Sequence, residues 1–160
     1  PQITAILNAA KAFEHDSDPL PIIGDGGIRK PGDVAKAIAA GADTVMVGSL
    51  FAGTEESPGE PVEQDGILKK MVRGMASATA FEKRLALGST TTRAEEYVPE
   101  GRTTFTPYKG SASKVLKRLR GGLLSGMSYT NARTIAEMHD RAQFIIVRSP
   151  AIPEQRRPLQ

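Results

Sequence analysis

Two short glycine turns carry the residue types in this chain best suited to chemistry. Asp25-Gly26-Gly27 follows the apolar run Leu20–Gly24, and Gly48-Ser49 follows Thr44–Val47. Glycine lets backbone N–H groups point at an oxyanion with no Cβ in the way. A helix beginning just after such a turn adds a favourable dipole, and the Ser49 hydroxyl offers one more donor. Asp25 would be repelled by a phosphate, yet a carboxylate can accept hydrogen bonds from neighbouring sugar hydroxyls. The two turns together would suit a sugar phosphate. The same glycines also serve ordinary strand-to-helix turns, and spacing alone leaves both readings open.

Other chemistries are excluded by composition. Cysteine is absent, which removes disulfides, thiolate metal sites and a cysteine nucleophile from these residues. His15 and His139 lie far apart, on segments that read as helical, and both are expected to face solvent, so neither a His-based triad nor a metal centre is expected. Lys and Arg number 21 against 18 Asp and Glu, a net charge of +3. That balance suits anionic small ligands and lacks the concentrated basic stripe of a nucleic-acid groove. No apolar run approaches the length of a membrane span. With 160 residues and 39% apolar content, the chain has the material for one ordinary core.

The turns need elements to aim them. Ile3, Ile6, Leu7, Ala10 and Phe13 make one stripe of an amphipathic helix opened by Pro1. Leu20–Gly24 and Thr44–Val47 read as strands buried on both faces, as in a parallel sheet. Between them Pro31-Gly32-Asp33 starts a helix that Gly41 stops, with Val34, Ala35, Ile38 and Ala39 inward. This helix–strand alternation is that of an α/β protein. Pro61–Gln64 and Ile67–Val72 flank Asp65-Gly66 as a hairpin. Residues 74–110 show little periodicity beyond a helix near Ala78–Leu87, as expected of a long functional loop. Val115, Leu116, Leu119 and Leu123 mark a further helix, Ala132, Ile135, Ala136 and Met138 another, and Phe144–Val147 a last strand. Two parallel strands cannot close a barrel. The chain therefore reads as a piece of a larger α/β barrel, or as one partner of a split one, with βα units and the glycine turns at 1–60, a hairpin and long loop at 61–110, helices and a final strand at 111–147, and a disordered tail at 148–160.

The wording of several segments goes further. Asp25-Gly26-Gly27-Ile28-Arg29, Ala39-Ala40-Gly41-Ala42-Asp43, Val45-Met46-Val47-Gly48-Ser49 and Ala52-Gly53-Thr54-Glu55-Glu56-Ser57-Pro58-Gly59-Glu60 closely resemble the IMP dehydrogenase/GMP reductase family. So do Arg73-Gly74-Met75-Ala76-Ser77, Pro99-Glu100-Gly101, Pro107-Tyr108-Lys109-Gly110 and Gly121-Gly122-Leu123 through Tyr129. The resemblance runs in order from residue 1 to about 147, and implies the C-terminal portion of a TIM (β/α)8 barrel with a flap and hairpin insertion. It implies that Asp25 holds the ribose hydroxyls and that Gly26, Gly27, Gly48 and Ser49 form the 5′-phosphate site. Gly74, Met75 and Ala76 would line the purine, and Glu100 beside Gly101 would orient the base and serve the chemistry. Glu55, Glu56 and Glu60 resemble an acidic loop beside a nicotinamide, and Arg93 is the candidate flap base.

The resemblance also implies an oxidoreductase of purine nucleotides, working as a cytoplasmic homotetramer with NAD, or alternatively NADP, and possessing a potassium site in the full-length protein. Its partners would be IMP, XMP or GMP and the N-terminal part of the barrel, without nucleic acid or membrane. Departures accompany these matches. The family's cysteine–threonine loop has no counterpart here, so this chain alone is expected to be inactive. Val72 replaces a tyrosine that touches phosphate, Arg93 and Tyr97 are not an adjacent Arg-Tyr pair, and the Glu-Ser-His type motif is missing from 148–160. Val98–Gly101, Thr106–Gly110 and Gly126–Tyr129 look more like the dehydrogenase, which oxidises IMP to XMP. Gly74–Ala80 and the missing Arg-Tyr pair look more like the reductase, which converts GMP to IMP. The dehydrogenase is the preferred expectation, followed by the reductase and then by a non-catalytic nucleotide-binding fragment.

Overall fold

A computed structural model describes residues 1–91, 97–101 and 103–147. Helix α1 spans Gln2–Ala12, strand β1 Ile23–Asp25, helix α2 Pro31–Ala39 and strand β2 Thr44–Met46. A second group follows: β3 at Pro61–Gln64, β4 at Ile67–Arg73, helix α3 at Ala78–Ala86 and β5 at Thr103–Pro107. Helices α4, Ala112–Tyr129, and α5, Ile135–Arg141, end the described order.

The local chemistry explains why these segments form. Pro31 occupies the first turn of α2, where its missing N–H costs nothing. Asp33 Oδ2 accepts from the backbone N–H groups of Arg29 and Lys30, both at 3.0 Å, which closes the start of that helix. Gly41 ends it at φ +106°, and a Cβ there would sit 2.5 Å from the Ala10 Cβ, so α1 packs directly on the α2 exit. The hairpin turn has positive φ at both centres, Asp65 at 57° and Gly66 at 71°, as a tight type I′ turn requires.

β1 and β2 are parallel, with Ile23 opposite Thr44, Gly24 opposite Val45 and Asp25 opposite Met46. β3, β4 and β5 form a separate antiparallel sheet in that order. The core lies among α1, α2, α4 and α5: Ile6, Ile28, Val34, Ala37, Ile38, Ala42, Leu119 and Met138 are buried together. Close helix contact depends on small residues. Gly122 lies against Pro31 and Gly126 against Ala35, where a Cβ would come 2.6 Å from the alanine methyl.

Several expectations from sequence are corrected. β1 and β2 are not buried on both faces: Ile23 is 59% and Met46 54% exposed. Only two strands pair here, and helices cover one side of them. Phe144–Val147 is no strand. It runs without a neighbouring strand among the described residues, with Ile145 at 86% and Ile146 at 91% exposure. β5 was not legible, because Thr103-Thr104-Phe105-Thr106-Pro107 has too few apolar positions to show a period. α1 ends at Ala12, so His15 is not helical but lies in the exposed turn beyond it. His139 does not face solvent freely: it is half-buried, with Nε2 3.2 Å from the Ala42 carbonyl. The tail 148–160 lies outside the described residues.

Candidate functional site

Parallel pairing decides where the two glycine turns go. Asp25 and Met46 are opposite each other in register at the ends of their strands, so both turns leave the same edge of the sheet. Adjacent strands lie about 4.8 Å apart, a span that one phosphate group can bridge. Gly26 at φ 93° and Gly27 at φ 78° are both in the left-handed region that glycine favours. The Gln2 side-chain amide donates to the Asp25 carbonyl oxygen at 2.6 Å, tying α1 to this turn and leaving the carboxylate exposed. After β2, the Gly48 carbonyl accepts from the N–H groups of Phe51 at 3.0 Å and Ala52 at 3.2 Å. The chain thus coils immediately into a helical turn whose first amides belong to Ser49 and Leu50.

The second group of candidates is brought together by backbone. The Ala76 carbonyl accepts from Glu100 N at 3.1 Å and Gly101 N at 2.9 Å, although the segments are far apart in sequence. Gly101 is required there, since a Cβ would stand 2.5 Å from Ser77 N. Ser77 is buried, and its hydroxyl caps α3 by accepting from Ala80 N at 3.3 Å. Met75 and Glu100 are left exposed. Tyr97 stacks on Phe81 with centroids 4.0 Å apart. Arg93 lies outside the described residues.

A cavity of about 380 Å³ connects the two groups in part: its lining includes Gly48, Phe51, Thr54 and Ser57 together with Met71, Val72 and Arg73. Arg73 leads directly into Gly74. Gly26 and Gly27 instead line a separate cavity of about 170 Å³ with Gln2, Ile3 and Lys36. The structure therefore aligns the two turns on one sheet edge and joins 74–76 to 100–101, without enclosing all of them in one pocket.

Two polar anchors were missed in the sequence reading. Lys70 is 3% exposed, and its ammonium donates to the carbonyls of Thr54 at 3.0 Å, Glu55 at 3.1 Å and Ser57 at 2.6 Å. Its neighbour Lys69 faces outward onto Asp65; strand alternation was the available signal, but it could not say which lysine turned in. Glu56, read as part of an acidic loop, has a structural role as well. Its carboxylate accepts from Ala112 N at 2.7 Å and Ser111 Oγ at 2.8 Å, capping α4, and the Ala112 N–H above all holds its pKa below the usual 4.5. Among the described residues no cluster of His, Cys, Asp or Glu suits a metal ion, and no helix is long and apolar enough to cross a membrane.

Mixed α/β topology with paired glycine turns at strand ends is an arrangement able to present backbone amides to a phosphate. Comparison with known proteins makes this specific. The family model for the IMP dehydrogenase / GMP reductase domain matches residues 1–157, and the chain belongs to that family. It is 48% identical over 147 residues to an inosine-5′-monophosphate dehydrogenase of Aquifex aeolicus, covering 91% of this chain and 29% of the relative. It is 45% identical over 149 residues to the enzyme of that name from Nitrosopumilus maritimus, covering 91% of this chain and 31% of the relative. The crystal structure of a GMP reductase from Trypanosoma brucei in complex with guanosine 5′-monophosphate superposes with a TM-score of 0.79 at 41% identity, over 91% of this chain and 29% of that one. The chain thus spans under a third of the length of these relatives, whose family consists of oxidoreductases of guanine-nucleotide metabolism.

Proposed function

We propose that this chain supplies the nucleotide-binding end of an IMP dehydrogenase-like enzyme that oxidises IMP to XMP with NAD. The observation carrying this reading is the in-register parallel pairing that brings Asp25-Gly26-Gly27 and Gly48-Ser49 to one sheet edge, in a chain 48% identical to a dehydrogenase of that name. In this reading the amides of Gly27, Gly48 and Ser49 bind the 5′-phosphate, and the Asp25 carboxylate accepts hydrogen bonds from the ribose. The backbone of Gly74, Met75 and Ala76 meets the purine edge, and Glu100, fixed through its own N–H to Ala76, orients the base. The exposed face carrying Ile23 and Met46 is covered by the other strands of a (β/α)8 barrel, residues 61–110 form its hairpin and flap, and the assembled protein is a cytoplasmic homotetramer.

The nicotinamide cofactor would supply hydride transfer. Exposed Glu55 and Glu60 fit a place at the rim facing it; Glu56 fits less well, since its carboxylate already serves α4. The carbonyl group of Thr54, Glu55 and Ser57 does not fit a potassium ion, because the Lys70 ammonium fills it. The reacting cysteine has no place in this chain.

A second reading, NADPH-dependent GMP reductase, is favoured by the likeness to the GMP-bound reductase. The full-length polypeptide containing this chain separates them: growth of reduced-cofactor absorbance with IMP and NAD supports the dehydrogenase, and decay with GMP and NADPH supports the reductase. Silence in both contradicts the catalytic reading.

A further inference from the structure

Lys70 joins two parts of the molecule that the chain path keeps apart. The ammonium has three N–H donors and meets three carbonyls, of Thr54, Glu55 and Ser57, so every donor is satisfied out of water. Charge-assisted bonds of this kind are stronger than neutral ones, and a buried cation without them would be costly. One end of the tie is the 53–57 turn, which leaves the candidate phosphate turn within a few residues of Gly48. The other end is β4, which runs from Lys70 through Arg73 into Gly74. Thr54 and Ser57 from the turn and Met71 and Arg73 from β4 line the same 380 Å³ cavity. The turn is held on its far side as well: Glu55 N donates to Gly110 O at 2.9 Å, and Lys109 N to Gly53 O at 2.8 Å. Gly53 is required in this turn: its φ of +85° is one that glycine adopts freely, and a Cβ there would stand 2.5 Å from the Pro107 carbonyl oxygen.

From this geometry we infer that Lys70 is a positioning residue, which sets the spacing between the phosphate-binding turn at Gly48-Ser49 and the purine-binding segment Gly74–Ala76. The inference rests on the proposed nucleotide site. Its consequence is selective: a ligand that spans both segments depends on Lys70, whereas one that touches only the phosphate turns does not. A purine mononucleotide is of the first kind and ribose 5-phosphate of the second.

The test is equilibrium titration of the full-length protein with IMP and with ribose 5-phosphate, for the wild type, Lys70→Met and Lys70→Arg. Lys70→Met is expected to weaken IMP by about tenfold, the effect of losing a few charge-assisted contacts, with ribose 5-phosphate unchanged. Lys70→Arg keeps the charge, but a flat guanidinium fork cannot meet three carbonyls converging on one atom, and a loss of about threefold for IMP alone is expected. Loss of folded protein lowers the number of sites without changing the dissociation constant, so a merely structural role reads differently. Should Lys70→Met fail to fold by circular dichroism, Lys70→Arg carries the test. Equal weakening of both ligands in the folded variant, or no weakening of either, overturns the inference and leaves the nucleotide reading intact. A wild-type protein that binds neither ligand overturns both.

Discussion

The helical body and the three-stranded sheet are held by different forces. In the body, α2 meets α4 and α5 through small and apolar side chains, with Ala37, Ile38, Ala42 and Met138 buried and two glycines of α4 fitted against α2. The sheet of β3, β4 and β5 buries few side chains of its own, and β3 is exposed throughout. It is fastened by Lys70 on three carbonyls and by backbone bonds from Lys109 and Glu55. Apolar packing is non-directional and tolerates partial rearrangement, whereas polar clamps fix position. The candidate site borrows from both: the turns proposed for phosphate stand on the packed body, and the segment proposed for the purine hangs from the clamped sheet.

That contrast is open to attack by substitution, most strongly in the body. Met138→Ala empties a buried volume next to α2 and is expected to lower unfolding free energy by about 3 kcal/mol, measured by urea denaturation. Gly126→Val drives a branched side chain into Ala35 and is expected to cost about 2 kcal/mol in the same experiment. On the sheet side, Gly66→Val puts a β-branched residue at φ 71° in the hairpin turn and is expected to cost about 1 kcal/mol, visible as faster hydrogen exchange in β3 and β4. Equal or larger losses from the hairpin than from Met138 would contradict the division drawn here.

The smallest expected effect is one of pH. Glu56 has a lowered pKa in the folded state, so the cap it gives α4 is fully present above the unfolded value of about 4.5 and is lost as pH falls through the folded value. Glu137 behaves alike, its carboxylate held charged first by the Arg133 N–H. Stability should therefore decline on acidification below about pH 4.5, and Glu56→Gln should flatten that decline slightly. An unchanged acid limb in the variant would show that the α4 cap carries no linkage.

The same division governs what the sequence disclosed. The stripe of Val34, Ala35 and Ile38 named α2 and its inward face, and Asp65-Gly66 named its hairpin, because periodicity and positive-φ residues are local signals. The wording around Gly27, Gly48 and Gly74 pointed to the family that comparison then gave. What stayed hidden was non-local. β5 forms because β4 offers it a ladder, not because Thr103–Pro107 has a strand pattern. The cap that Glu56 gives α4 rests on donors from Ser111 and Ala112, far along the chain. Phe144–Val147 shows the converse: a strand-like composition with no ladder to join among the described residues.

The central claim is that the turns at 25–27 and 48–49 hold one phosphate between them. A crystal structure of the full-length protein with IMP tests it most directly. The phosphate oxygens are expected about 3 Å from the amide nitrogens of Gly27 and of Gly48 or Ser49, with the Asp25 carboxylate on the ribose. A phosphate bound elsewhere, or reaching one turn alone, contradicts it.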